Sequence, residues 1–395
     1  MVKKLSLTVQ IALALALGVL GGILFQAQSG VQYIRPIGTI YLNLIKMIVI
    51  PVVTLSVIQG VISLQDIKKV GSIGGKTVLF FLATTAFAVS IGLLLANLLQ
   101  VGEGYTLPTE DLSYTPAEPP GFVDTIVNIF PSNFLQPFAE SAMLPIILIS
   151  ILFGFGILLA GEKGYLVSKA VDSLATVSFR VMEMILRLSP IGVFALILPV
   201  VAEQGAGVLL PLMKLILVAY LAYFVHIALV YGTAVAFIGK CNPFRFYQKM
   251  GKPMLFAFSS ASSIGTLPFS MESTEKLGVN KSVSGFVLPL GATINMDGTA
   301  IYQGVCVIFI AGIFGVELTL AQQLTVVLTS VLASVGTAGV PGSGMLMLAM
   351  VLQSVGLPLE GIALVAGIDR ILDMGRTVVN ITGDCACCLC VSTKT

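Results

Sequence analysis

Six stretches of the chain are almost continuously apolar: residues 7–26, 37–64, 77–100, 142–160, 165–203 and 207–238. A helix of roughly 20 apolar residues crosses a bilayer, so each is expected to be a membrane-spanning helix. The fifth is long, carries polar positions and is expected to break near Ser189-Pro190. After residue 250 the pattern changes, and Gly, Ser, Pro and charged residues interrupt the apolar runs. Broken helices at membrane depth are tolerated only where protein covers them or where they line a cavity. In transporters they mark the binding site.

Two of these interruptions resemble one another. Ser263-Ile264-Gly265-Thr266 and Ser334-Val335-Gly336-Thr337 share the pattern Ser-(Ile/Val)-Gly-Thr, each followed by a proline. Downstream of each lies a polar cluster within an apolar run: Asn295-Met296-Asp297-Gly298-Thr299 after the first, Asp373-Met374-Gly375-Arg376-Thr377 after the second. A repeated hairpin-then-helix unit is the form an internal transporter repeat takes.

Composition agrees with a polytopic membrane protein. Of 395 residues, 56% are hydrophobic and 10% charged, whereas a soluble domain carries about a quarter charged residues. Mean hydropathy is +1.01. The formal net charge of +2 and the lack of a basic patch give no reason to expect a nucleic-acid partner. Lys3 and Lys4 precede the first apolar run as in a signal peptide, but no convincing cleavage site follows, and the run is read as the first span. Lys3, Lys4, Lys68, Lys69, Lys76, Lys163, Lys169, Lys240, Arg245, Lys249 and Lys252 fall at alternate ends of the spans, which are therefore expected to be cytoplasmic; Arg35 is the exception. Residues 101–128 hold five acids, no Lys or Arg, and several prolines, and read as an external flexible loop. Cys385, Cys387, Cys388 and Cys390 are spaced too tightly for a standard zinc pattern and read as small helix residues, with a redox-sensitive or metal-binding tail as the alternative. The single histidine, His226, sits in an apolar stretch, which argues against a histidine metal site or a catalytic triad.

The last helix carries the strongest chemical signal. At about 100° per residue, Asp369, Arg370, Asp373, Arg376, Thr377, Asn380 and Asp384 all fall within roughly 60° of Asp373. A charge facing lipid at the bilayer centre costs at least ~2.5 kcal/mol, so this stripe must face protein or water. Internal ion pairs would satisfy that requirement. A solute site does so more naturally, because Thr377, Asn380 and the glycine-rich loops add neutral ligands. Arg376 offers a planar fork for a carboxylate. Asp373 is suited to an ammonium, and Ser263 with hairpin N–H groups to a second carboxylate. Asn295, Asp297 and Asp384 are hard oxygen ligands suited to a cation such as Na⁺, which would offset the burial of the acids.

These residues resemble the glutamate transporter family, the dicarboxylate/amino acid:cation symporters. Ser189–Ala195, Ala202–Gly205, the serine-rich hairpin, Pro289–Thr299 with its Asn-Met-Asp-Gly-Thr motif, Gly336–Gly344 and Asp373–Thr377 carry the likeness over nearly the whole chain. It is nearest to the archaeal and bacterial sodium-coupled aspartate transporters. The resemblance implies an all-α polytopic fold of eight transmembrane helices and two re-entrant helical hairpins with inverted repeats, in a homotrimeric elevator transporter. It places the protein among lipids in the cell membrane with both termini cytoplasmic. The implied division is 1–76 (scaffold helices 1–2), 77–100 (transport-domain helix 3), 101–128 (the external loop), 129–203 (scaffold helices 4–5) and 207–395 (transport core, with helix 6, hairpin 1, helix 7, hairpin 2 and helix 8).

The implied function is symport of aspartate or glutamate with Na⁺ as coupling ion and no organic cofactor. By the likeness, Arg376 holds the substrate side-chain carboxylate with Thr299 nearby, and Asp373 takes the amino group with Thr377 in support. Ser262, Ser263, Asn380 and the backbone of Val340, Pro341 and Gly342 surround the main-chain carboxylate. One Na⁺ site would use Gly291, Asn295 and Asn380 carbonyls with the Asp384 carboxylate. A second would use Thr293 with the carbonyls of Ser334, Val335 and Thr337, and a third Thr84, Thr85, Asn295 and Asp297 with the Phe81 carbonyl.

Three departures from the archaeal pattern stand out, one of them the cysteine-rich tail Cys385–Cys390, which has no functional account. Phe81 replaces a tyrosine, and Ala261 occupies a hairpin position where those relatives carry arginine. Arg370 is expected to take over the arginine's role from the last helix. A proton-coupled glutamate or C4-dicarboxylate symporter is the nearest alternative, though it would not need Asp373 for an ammonium. A neutral amino acid carrier would leave Arg376 without a counter-charge. A channel would more naturally show a ring of filter residues, and an enzyme is disfavoured because His226 is remote in sequence from Ser263 and Ser334.

Overall fold

The computed structural model describes residues 7–25, 33–63, 72–103, 127–140, 142–204, 209–334 and 343–392. Among these every regular element is helical, as expected for apolar runs that must satisfy their own backbone groups without water. The first seven helices are α1 (Leu7–Leu24), α2 (Arg35–Ser63), α3 (Ser72–Leu98), a short α4 (Gln136–Glu140), α5 (Met143–Leu159), α6 (Tyr165–Arg187) and α7 (Ser189–Gln204). Segments Gly161–Ile185 and Ser189–Pro199 meet at 49°, at the break anticipated near Ser189-Pro190. The segments Ile73–Leu98, Leu210–Ile238 and Lys281–Ile313 are each long and apolar enough to cross a membrane. Leu79, Phe87, Leu94, Leu217, Phe224 and Phe237 point outward from the first two, a surface suited to lipid rather than water.

α8 (Leu209–Val225) continues as two π-helical segments, His226–Tyr231 and Ala234–Ile238. Next come α9 (Pro243–Ser260) and α10 (Ser263–Lys276), which pack on each other as a helical hairpin. Asn242 caps α9, its Oδ1 accepting from the Phe244 N–H at 2.8 Å, with Pro243 in the first turn where no N–H is needed. The hairpin reverses at Ala261, a left-handed residue (φ 50°, ψ 42°), and Ser262 caps α10 by accepting from the Gly265 N–H at 3.0 Å. α11 (Lys281–Ile294) and α12 (Asp297–Ile313) are separated by Asn295 and Met296. α13 (Leu320–Ser334) and α14 (Ser343–Ser354) form a second packed pair, whose connection lies outside the described residues. A short α15 (Ile362–Ala366) leads to α16 (Asp369–Ser392).

One expectation needs refinement here. The two polar clusters are not equivalent. Asn295–Thr299 sits at a helix break, with Asn295 extended (φ −86°, ψ 100°), whereas Asp373–Thr377 lies inside an unbroken helix.

Two packing neighbourhoods organise the molecule. α1 packs along α7, and α2 packs on α5, α6 and α7. α1 approaches α7 closely because Gly18 and Gly22 face Ile197 and Val201, where a Cβ would overlap, the small-xxx-small device of membrane helices. In the second neighbourhood α3 packs on α12 and α13, while α8 to α12 surround α16. α12 and α16 are the most enclosed elements, and the polar residues of α16 are held inside protein. The neighbourhoods meet where α14 touches α2 and α5, and where α15 touches α7.

Candidate functional site

α16 presents its polar stripe to the α11–α12 break, to the turn of the first hairpin and to the start of α14. Arg376, 2% exposed, is the largest buried side chain of the stripe. Its Nε donates to Asp373 Oδ1 at 2.7 Å and its Nη1 to Asp369 Oδ1 at 3.4 Å. The guanidinium lies over the Tyr302 ring, 4.9 Å from its centroid. Nη2 is buried without a hydrogen-bond partner. A buried charged donor left unmade is expensive, so this nitrogen is a ready acceptor-seeking group. Gly344, at the start of α14, packs against the same guanidinium, and a Cβ there would overlap it. Arg370 bridges to the first hairpin: Nη1 lies 3.6 Å from Asp373 Oδ2, and Nη2 donates to the Ser260 carbonyl at 3.4 Å, beside Ala261.

The other predicted substrate positions fall around this core. Thr377 Oγ1 donates to the Asp373 carbonyl at 2.8 Å. Thr299 and Ser263 are buried, at the first turns of α12 and α10. Asn380 Oδ1 accepts from the Gly298 N–H at 2.8 Å, tying α16 to the start of α12. Ser262 is engaged in capping. Val340, Pro341 and Gly342 lie outside the described residues, as do Val335 and Thr337 of the second cation set.

The hard oxygen ligands gather at the helix break. Asn295 Nδ2 donates to the Asn380 carbonyl at 2.8 Å and to Asp384 Oδ1 at 2.9 Å. Its Oδ1 is buried with no donor. Gly291 lets the Asp384 carboxylate approach, since a Cβ would overlap it and touch Phe81. Asp297, fully buried, accepts from Thr85 Oγ1 at 2.6 Å through Oδ1, and from Tyr231 OH at 2.7 Å through Oδ2, with His226 Nε2 at 3.2 Å. Thr84 Oγ1 donates to the Phe81 carbonyl at 3.2 Å. An orphaned amide oxygen among carboxylates, hydroxyls and carbonyls is a donor set that fits a hard cation. The hydroxyls of Thr293 and Ser334 bond within their own helices, to Leu290 and Val331. Asn295, Asp297, Asp384, Thr84, Thr85, Phe81 and Gly291 are thus brought together.

Three residues of the site, Tyr302, His226 and Tyr231, escaped sequence reasoning, and a fourth was only half read. Asp369 was visible in the stripe but had no assigned partner. Tyr302 follows Thr299 by three positions, one helical turn, and that spacing could have flagged it. His226 and Tyr231 looked like ordinary residues of an apolar span, and only packing puts them on Asp297. The cysteines of α16 are buried among packed helices, with Cys390 Sγ near the Ala234 carbonyl at 3.4 Å, and no His/Cys/Asp/Glu metal cluster occurs among the described residues.

The chain is similar over nearly its whole length to known membrane transport proteins. The profile described as "Sodium:dicarboxylate symporter family" matches residues 7–394. The chain is 40% identical to the proton/sodium-glutamate symport protein of Geobacillus stearothermophilus, over 97% of this chain and 93% of that protein. It is 37% identical to the proton/glutamate-aspartate symporter of Escherichia coli K12, over 98% and 93%. It is 36% identical to C4-dicarboxylate transport protein 1 of Ralstonia nicotianae, over 98% and 91%.

Proposed function

Because the chain belongs to the sodium:dicarboxylate symporter family, and is therefore an integral membrane secondary transporter rather than an enzyme, we propose that it carries aspartate or glutamate inward, coupled to Na⁺. The observation that carries this reading is the unpartnered, buried Nη2 of Arg376. Its guanidinium is aimed by Asp373, Asp369 and Tyr302, so a carboxylate can dock without first paying to order the side chain.

Charge accounts for the cation. Asp297, Asp369, Asp373 and Asp384 are all buried, against the guanidiniums of Arg370 and Arg376. A dicarboxylate substrate adds further negative charge, and buried charges must be paired. Na⁺ at Asn295, Asp384, Gly291 and Asn380, and at Asp297, Thr84, Thr85 and the Phe81 carbonyl, supplies that pairing. With a third Na⁺ as well, a site loaded with an acidic amino acid of net charge −1 is neutral, whereas the cations alone or the substrate alone leave it charged, which is why the two move together. A further Na⁺ site at Thr293, Ser334, Val335 and Thr337, and the Val340–Gly342 contact to substrate, belong to the same reading. Asp373 has two arginine contacts and retains carboxylate lone pairs for an ammonium. Arg370 stands in for the arginine missing at Ala261.

At the scale of the chain, the reading is of eight spans with two re-entrant hairpins in a homotrimer, both termini cytoplasmic. The α1–α2–α5–α6–α7 neighbourhood is the scaffold, and the neighbourhood around α16 is the part that moves as an elevator. A second reading, transport of a C4-dicarboxylate or coupling to protons, is favoured by the names of the relatives, which include both. Uptake of labelled aspartate and succinate into proteoliposomes, with and without an inward Na⁺ gradient, separates the two. Aspartate uptake driven by the gradient is expected. Gradient-independent uptake would remove sodium coupling, and uptake of succinate alone would establish the second reading.

A further inference from the structure

Asp297 is gripped by two donors from one unusual stretch of helix. Residues His226–Tyr231 of the α8 continuation wind as π-helix. In an α-helix residues five apart are separated by roughly 140° around the axis. In a π-helix, with its i→i+5 hydrogen bonds, they stack on one face, and such segments recur at functional sites. His226 and Tyr231 are five apart, and their rings meet edge to face with centroids 4.6 Å apart. Both reach the same atom, Asp297 Oδ2, at 3.2 and 2.7 Å. The carboxylate only accepts here, so Nε2 carries the imidazole hydrogen, and Nδ1 has no partner. Gly383 of α16 makes room for this, because a Cβ there would overlap the Tyr231 hydroxyl and the Asn295 amide.

We infer that His226 and Tyr231 are positioning residues for the cation site at Asp297, the π-wound turn existing to bring both donors to one carboxylate oxygen. Two donors occupy Oδ2, which leaves Oδ1, already joined to Thr85, as the oxygen with a lone pair to offer a cation. The carboxylate is thereby held in one rotamer before the ion arrives. Without the clamp it would be free to turn toward other donors, and the ion would have to pay for ordering it. This inference rests on the sodium-coupled reading above, and it concerns how tightly Na⁺ is held rather than which substrate is carried.

The test uses purified full-length protein, with choline replacing Na⁺ at constant ionic strength. Two quantities are read: the Na⁺-dependent rise in melting temperature without substrate, and the Na⁺ concentration giving half-maximal aspartate binding. Supporting partners of metal ligands are typically worth 10–100-fold in metal affinity, so Tyr231→Phe and His226→Leu are expected to raise the half-saturating Na⁺ concentration by about 10-fold or more. His226→Gln, which keeps a donor, is expected to shift it less. Aspartate affinity at saturating Na⁺ should stay at the native value, a separation that general loosening of the fold would not produce. Tyr231→Phe removes one oxygen only and decides the matter if His226→Leu fails to fold. A sodium-dependent native protein whose Tyr231→Phe variant keeps native half-saturation overturns this inference alone. A native protein indifferent to Na⁺ overturns the coupling reading, and this inference with it.

Discussion

Arg376 shows how a single buried cation is made useful. Removing it outright would take a buried charged partner from both Asp369 and Asp373, and breaking a buried pair costs about 3–5 kcal/mol, so an alanine variant would confound stability with binding. Arg376→Lys is the cleaner probe. Lysine keeps the charge but loses the planar fork that serves Asp373, Asp369 and a ligand at once. Hydrogen bonds to charged groups are worth about 1.5–3 kcal/mol, which corresponds to a roughly 10–100-fold loss of aspartate affinity. Calorimetric titration at fixed, saturating Na⁺ measures it, and native affinity in the variant would contradict the assigned role of Arg376. The stripe on α16 made Arg376, Asp373 and Asn380 legible from sequence, because polar side chains at helical spacing in an apolar run have few explanations. Tyr302 was not, since aromatic residues in apolar helices are ordinary core until a cation is found beneath one.

At the level of elements, the decisive features are interruptions. The break at Asn295-Met296 frees the Asn295 side chain to bridge Asn380 and Asp384, while α16 stays continuous and supplies a rigid rail of side chains. The turn at Ala261 is tied to that rail by Arg370, through Asp373 and the Ser260 carbonyl. Arg370 is therefore placed to couple the first hairpin to the substrate site. Arg370→Ala is expected to change the kinetics of transport, through both the apparent substrate affinity and the turnover rate. Initial-rate measurements across aspartate concentrations would show this, and kinetics indistinguishable from the native protein would remove the coupling role. The break at Ser189-Pro190 was readable because proline disfavours continuous helix. The π-winding at His226–Tyr231 was not, because no residue there marks it; packing against Asp297 does.

Across the whole molecule, the proposed elevator predicts that the two packing neighbourhoods slide past each other. They meet beside α15, where a Cβ built at Gly367 would lie 3.6 Å from Val193 Cγ1 and 2.8 Å from Leu15 Cδ1, so a cysteine pair comes within reach of a disulfide once the tip of Leu15 turns aside. With Cys241, the one half-buried native cysteine among the described residues, first changed to Ser, Val193→Cys with Gly367→Cys should cross-link under mild oxidation. Oxidised protein in proteoliposomes is expected to lose most uptake yet retain Na⁺-dependent aspartate binding, and reduction should restore transport. Full uptake in the cross-linked state would mean that no relative motion is needed at this seam.

The amino-acid sequence alone determined that this is an apolar, polytopic, all-helical chain, that it breaks near Ser189-Pro190 and at the serine-rich first hairpin, and which face of the last helix carries chemistry. Those properties follow from hydrophobicity and helical period, which are local. Its motifs were also sufficient to recognise the family. Tertiary structure decided which partners meet: that Asp369 and Tyr302 hold Arg376, that Arg370 reaches the Ala261 turn, and that His226 and Tyr231, 66 or more positions away in the chain, close on Asp297. Such contacts join residues that no period or spacing relates. They exist because burying a carboxylate obliges the fold to bring donors to it from whichever helices happen to pack there.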